Sequence, residues 1–193
     1  MMTFVPTREA ALELLRKYNK SESLLKHAFA VEGVMRYMAR KSGEDEEKWG
    51  IIGLIHDLDY EMYPDQHCTM TKKILEENNW PEEYIHAVLS HGWGLASNVE
   101  PVTLLEKTIY AIDELTGLVA TSALVRPSKS VLDMEAKSVK KKWNDKRFAA
   151  GVDRSVIEKG AAMLGVSVDN LITDCIMGMR EVAEQIGLKG NIN

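Results

Sequence analysis

Apolar residues recur at steps of three and four over almost the whole chain, and strict alternation of apolar and polar positions is hard to find. That periodicity predicts an all-α protein. Thr7 can cap a first helix reaching about Lys17. Ser21 or Ser23 can cap a second, whose apolar sector of Leu24, Leu25, Ala28, Val31, Val34, Met35 and Met38 runs until Gly43 stops it. His27 falls inside that sector. A third helix, from about Glu44 to His56 and Asp57, is apolar nearly all round through Trp49, Ile51, Ile52, Leu54, Ile55 and Leu58, which predicts a place in the middle of the core.

Tyr63-Pro64-Asp65 marks a loop. Helices are predicted beyond it over 66–78 and, with Pro81 in a first-turn position, over 82–91, where Gly92 terminates the run. A long helix opens at Pro101 and carries Leu104, Leu105, Ile109, Ile112, Leu115 and Leu118 until "RPSKS", 126–130, breaks the pattern in what reads as a mobile loop. A basic stretch, "KSVKKKWNDKRF", follows. Asp153 with Gly165, and Ser167 with Gly187, frame two closing helices. No internal repeat or low-complexity tract interrupts the chain. One domain is expected over 1–193, with a core of about 20–123 and a C-terminal helical appendage of about 131–188.

Composition changes this picture little. Of the 193 residues 45% are hydrophobic and 27% charged, which is ordinary for a globular chain. The net charge of -5 argues against a nucleic-acid footprint over the whole surface. Cys68 and Cys175 stand far apart, fit a reducing compartment, and read as small buried apolar residues. The start "MMTFVPTREA" has neither a basic n-region nor a long apolar run, and no stretch of about 18 apolar residues occurs, so the expected setting is cytoplasmic and away from membranes. Nothing in the sequence bears on oligomeric state.

The chemistry lies in the first half. His27, His56, His67, His86 and His91 are all five histidines, and none occurs after position 91. Imidazole mixed with carboxylate suits Mn, Fe, Co, Ni or Zn better than Mg or Ca. A single helical histidine is more often a hydrogen-bonded core or surface residue than a ligand. The doublet in "GLIHDLDYE" says more, because a carboxylate at the end of an apolar helix is costly to bury without a cation or several donors.

His27 in "LLKHAFAVEGVM", His56-Asp57 in "GLIHDLDYE" and Asp113 in "IYAIDELTGL" stand in an order, at spacings and in apolar contexts that resemble the HD superfamily of metal-dependent phosphohydrolases. The resemblance covers about His27 to Leu118. It implies an HD-domain-like helical bundle with additional C-terminal helices, and His27, His56, Asp57 and Asp113 as metal ligands. His67 in "HCTMTKKIL" and His91 in "AVLSHGWG" look like the further ligands of the branch that holds two ions, with Asp57 bridging them. Where that branch commonly reads HD-Ile-Gly, this chain has Leu58-Asp59. His86 matches no position of the motif.

The activity implied is attack of metal-bound hydroxide on phosphorus in a nucleotide or another small phosphorylated molecule, as monoester or diester, with one or two divalent transition-metal ions. Asp57 would be central to it, and Asp59 and Glu61 are candidates for proton donation or support. Arg126 and Lys129 in the "RPSKS" loop, and Lys140 and Lys141 in the basic stretch, are candidates for holding substrate phosphate. No GxxxxGK[ST] loop and no HExxH helix competes with this reading. Two alternatives stay open: some relatives with the extended His and Asp set use two irons to activate oxygen, and a non-catalytic nucleotide- or metal-binding module would need the same residues.

Overall fold

Two 21-residue helices carry the architecture of the chain. In the computed structural model, which describes residues 4–191, the element order is α1 (Arg8–Tyr18), α2 (Glu22–Ser42), α3 (Glu46–Ile55), α4 (Thr69–Glu77), α5 (Glu82–Ser90), α6 (Leu104–Leu124), α7 (Ala136–Lys140), α8 (Arg154–Leu164) and α9 (Val168–Glu181). A short 3₁₀ turn, Pro64–Gln66, precedes α4, and the described residues form no named strand. The long helices α2 and α6 pack on each other, α3 and α9 lie against α2, and α8 lies against α6.

Local chemistry accounts for most of the boundaries. Thr7 accepts from the Ala10 amide at the start of α1, and Asp45 accepts from Lys48 at the start of α3. Thr103 and Glu106 form a reciprocal capping box on α6, a device worth about 1 kcal/mol. That box fixes the start of the helix at Leu104, three residues beyond the proline expected to open it. Gly43 and Gly165 close α2 and α8 in the left-handed conformation, at φ 72° and 68°.

The all-apolar helix takes the central place its sequence predicts: Trp49 to Ile55 are all buried. Each fully buried Ile or Leu there contributes about 1.5–3 kcal/mol relative to an exposed one. Gly53 lets α3 approach α2 closely, since a Cβ at that position would lie 3.1 Å from both the Glu32 Cα and the Val31 carbonyl oxygen. α3 ends at Ile55, one residue short of the doublet, and His56 serves as its C-cap. The sequence-based helix over 66–78 likewise shortens to Thr69–Glu77, which leaves His67 in the turn ahead of it.

The segment after Val125 belongs to the same buried cluster, which extends from Ala11 to Leu188. Lys41 grips Asp174 at 2.6 Å, and Arg40 grips Glu181, tying α9 to the end of α2. The loop at 126–130, expected from the sequence to be mobile, is hydrogen-bonded on both sides. Arg126 donates to Asp133 at 2.9 Å and to Ser138 at 2.9 Å, and the Ser130 hydroxyl donates to the Lys189 carbonyl at 2.7 Å. Among the described residues no single helix is long and apolar enough to cross a membrane; α8 and α9 reach that composition only together, across a bend of 98°.

Candidate metal centre

Three of the helices deliver side chains to one point. His27 comes from the second turn of α2, His56 from the end of α3 and Asp113 from the middle of α6. His27 Nε2 lies 3.2 Å from His56 Nε2 and 3.0 Å from Asp113 Oδ1, and His56 Nε2 lies 3.3 Å from that same oxygen. Asp57 Oδ2 completes the group, 3.6 Å from His27 Nε2 and 3.4 Å from His56 Nε2.

The other carboxylate oxygen of Asp57 faces a second group. Asp57 Oδ1 is 3.5 Å from His67 Nε2 and 3.4 Å from His91 Nε2, and those two nitrogens are 3.1 Å apart. Cys68, read from sequence as an inert buried residue, is indeed buried, yet its thiol also falls within 4.8 Å of ligand nitrogens of His67 and His91. Its backbone sits at φ 66°, a strained value for a residue with a Cβ. Gly92 makes room for it, since a Cβ at Gly92 would be 2.7 Å from the sulfur.

The hydrogen bonds on the far side of each ring decide what the near side can do. His56 Nδ1 donates to the Gly53 carbonyl at 2.8 Å and His91 Nδ1 to the Val88 carbonyl at 2.5 Å. His67 Nδ1 donates to Asp59 Oδ1 at 2.8 Å. The Thr116 hydroxyl gives its proton to the Asp113 carbonyl and so accepts from His27 Nδ1 at 3.4 Å. A neutral imidazole with its proton on Nδ1 presents a lone pair at Nε2. Two such lone pairs therefore converge in each group, beside a carboxylate oxygen. Only protons or a cation relieve that crowding.

Donor atoms about 2.1 Å from a shared cation sit roughly 3.0 to 3.4 Å apart at octahedral or tetrahedral angles. The observed separations lie in and just beyond that range, so both groups fit a transition-metal ion. Burial alone would lower the His56 pKa, but the Asp57 and Asp113 charges outweigh it and hold the imidazolium well above its usual range. Burial opposes the His67 cation too, yet the bond to Asp59 and the neighbouring charges lift it to about 10. Burial likewise disfavours the Asp57 and Asp113 carboxylates, and their histidine partners nonetheless keep both well below the usual carboxylate range.

The remaining sequence candidates separate. Asp59 is fully buried, and besides holding His67 it accepts from the Thr71 amide at 2.7 Å, so the residue standing in place of the branch's glycine buttresses a ligand ring. Glu61 is exposed and binds the amides of Lys20 and Ser21 at 2.7 and 2.9 Å, fixing the chain where it enters α2. That carboxylate is committed to the entry of α2 and does not line the cavity over the metal ligands. His86 donates to Glu106 at 2.7 Å, within the α6 capping box.

The cavity encloses about 370 Å³ and is walled by His27, Asp57, His67, His91 and Asp113, with Tyr60 and Glu114 among its other polar groups. None of its lining residues is Lys or Arg. Arg126 is held by Asp133 and Ser138, Lys140 pairs with Asp169 at 3.0 Å, and Lys129 and Lys141 are exposed away from the cavity wall. The spacing between the long helix and the basic stretch could not reveal that these groups are directed elsewhere. Lys146 and Arg154 come closer, lining a hollow that shares Gly151 and Val152 with the metal cavity. The Arg154 guanidinium is engaged with the carbonyls of Phe148, Asp145 and Val152.

Sequence reasoning missed Glu114. Burial first, and the Asp113 charge second, push its carboxyl up to about 7, while one of its oxygens accepts from the Asp153 amide at 3.0 Å. Its position beside Asp113 was the available signal, although helical neighbours ordinarily face different ways.

Residues 24–118 match the family model of the HD domain, a span just under half of the chain that contains all six clustered His and Asp residues. That region is an HD domain, of a superfamily whose members are typically metal-dependent phosphohydrolases and bind divalent metals. Neither a curated protein nor a solved structure matched it.

Proposed function

We propose that the protein is a metal-dependent phosphohydrolase acting on a small phosphorylated molecule, a nucleotide or another phosphoester. The observation that carries the proposal is the position of Asp57: its two oxygens face two separate groups of imidazole nitrogens at 3.4–3.6 Å. His27, His56, Asp57 and Asp113 would hold one ion, and Asp57, His67 and His91 a second. Bound there, divalent cations would lower the pKa of a water towards neutrality and neutralise the phosphoryl oxygens.

The chain's own residues do the rest. The four rings are oriented by Gly53, Val88, Asp59 and Thr116, which fixes the tautomer and makes each Nε2 a better donor. Asp57 and Asp113 bring negative charge to a cavity with no Lys or Arg in its wall, so bound cations would favour the entry of a phosphate. Glu114, the lining carboxyl outside both groups, is the residue available to hand a proton to a departing oxygen.

Elemental analysis of protein purified without chelators, followed by a phosphate-release screen over nucleotides and simple phosphoesters with Mn, Co, Ni, Zn or Fe, tests this. Metal-dependent release is expected, and it should vanish when the metal is stripped. Iron at about two per chain together with substrate-dependent oxygen uptake, and no phosphate released from any ester, would replace the hydrolase with an oxygenase.

A further inference from the structure

The metal cavity has a neighbour. Behind His27 lies a second cavity of about 400 Å³, and His27 and Gly117 form part of the wall of both. That size is within the roughly 300–1,000 Å³ usual for small-molecule sites. Its lining differs sharply in chemistry. Ala30 from α2, Ala120 and Leu124 from α6, and Met179, Ile186 and Leu188 from the C-terminal segment make it mainly apolar. Apart from His27, its polar side chains are already engaged within the protein: Lys26 pairs with Glu22 at 2.5 Å, the Thr116 and Thr121 hydroxyls donate to the Asp113 and Gly117 carbonyls, and Ser23 pairs with Ser21.

Gly117 is the point where the two meet. It lies inside α6, where glycine weakens a helix relative to alanine. Packing does not demand it, since a Cβ there would meet only Val152 Cγ2, at an ordinary 3.7 Å. Its backbone has no left-handed φ to accommodate either. The missing side chain leaves open the space between this shared wall and Val152, which lines the metal cavity.

We infer that the apolar cavity receives the alcohol portion of the phosphoester whose phosphorus lies at the metal centre, and that this portion is a short aliphatic or carbocyclic group. The inference rests on the hydrolase reading and narrows its substrate. A sugar or polyphosphate would leave hydroxyls or charges unpaired against Ala30, Ala120, Met179, Ile186 and Leu188. An apolar body gains from the same surface. Gly117 is thus a specificity-determining residue, and Leu124, 53% exposed, stands at the rim.

Alkylphosphonates test this without turnover, because their P–C bond is not cleaved. Calorimetry on the Mn²⁺-loaded full chain should find hexylphosphonate bound about tenfold or more tightly than ethylphosphonate, the four extra methylenes being buried. In Gly117→Leu, which adds bulk to the wall that the two cavities share, the preference should fall to within about twofold, with helix content and melting temperature checked alongside. Leu124→Gln, at an exposed position that leaves the fold intact, should lower the preference by about two- to threefold. Equal affinity of the unaltered protein for the two phosphonates overturns the inference, as does an undiminished preference in both variants. Hexyl and ethyl phosphate, assayed in parallel for phosphate release, separate the two readings: a preserved phosphonate preference with no release from either ester sinks the hydrolase and leaves the apolar site standing.

Discussion

The two ligand groups that share Asp57 are built from different material. The first draws His27 and Asp113 from the interiors of the two longest helices and His56 from the end of the most deeply buried one, so its donors are positioned by the hydrophobic core itself. The second draws His67 from a turn and His91 from the end of the nine-residue α5, and it depends on a buried carboxylate, Asp59, to hold one ring. The first offers four side chains with two carboxylates, the second three with one. More donors and more negative charge mean that the first group should bind its ion more tightly. The second should be the half that can be tuned or lost.

The sharpest way to break the comparison is to remove what both groups share. Asp57→Ala should abolish metal retention at both positions and activity with it, while circular dichroism shows helix content unchanged, because the apolar core does not depend on this side chain. Metal retained at full stoichiometry would exclude Asp57 as the bridge.

His67→Ala and His91→Ala should act on one half only, lowering occupancy from about two ions to about one while the four residues of the first group keep theirs. Elemental analysis decides it. Two ions persisting in the double variant would mean that the second group, Cys68 notwithstanding, is not a metal site.

Asp59→Asn sharpens the comparison. The amide keeps the shape and can still accept a hydrogen bond, but it loses the charge that makes His67 a strong donor. Affinity for the second ion should fall about 10- to 100-fold with the first unaffected. Competition against a chromophoric chelator would read both steps, and an equal loss at both would contradict the division.

The smallest effect is expected furthest from the cavity. Replacing Arg126 and Lys129 together by alanine should leave metal content and kcat/KM unaltered, because Arg126 is taken up by Asp133 and Ser138. Loss of that partly exposed ion pair costs about 1 kcal/mol or less, visible only as a slightly lower melting temperature. A tenfold drop in kcat/KM would restore the loop as a substrate contact.

Glu61 and Asp59 show where local reading fails. Both are acidic, two residues apart and just past the doublet, and nothing in that stretch separates them. One is exposed and caps the entry to α2; the other is fully buried under His67. Their partners, at residues 20, 21, 67 and 71, are remote or lie across a turn, and only the packing of α2, α3 and α4 selects them. Arg126 is a similar case: its partner Asp133 is near in sequence, but the loop that joins them is itself tied to the C-terminal segment by the Ser130 bond to Lys189.

What the chain declares by itself is whatever repeats locally or carries a motif: helical periodicity, the capping residues Thr7, Ser167 and Gly165, the central place of the apolar third helix, and the His and Asp set of the HD pattern. Periodicity and capping act between residues three or four apart, so they are written in the sequence. Tertiary structure alone decided that Asp57 turns one oxygen to each group, that Asp59 and Thr116 steady His67 and His27, and that His27 and Gly117 line two adjoining cavities. These depend on atoms brought together across a turn, as for Asp59 and His67, or by helices far apart along the chain, as for His27 and Thr116, and such distances exist only once the core has closed.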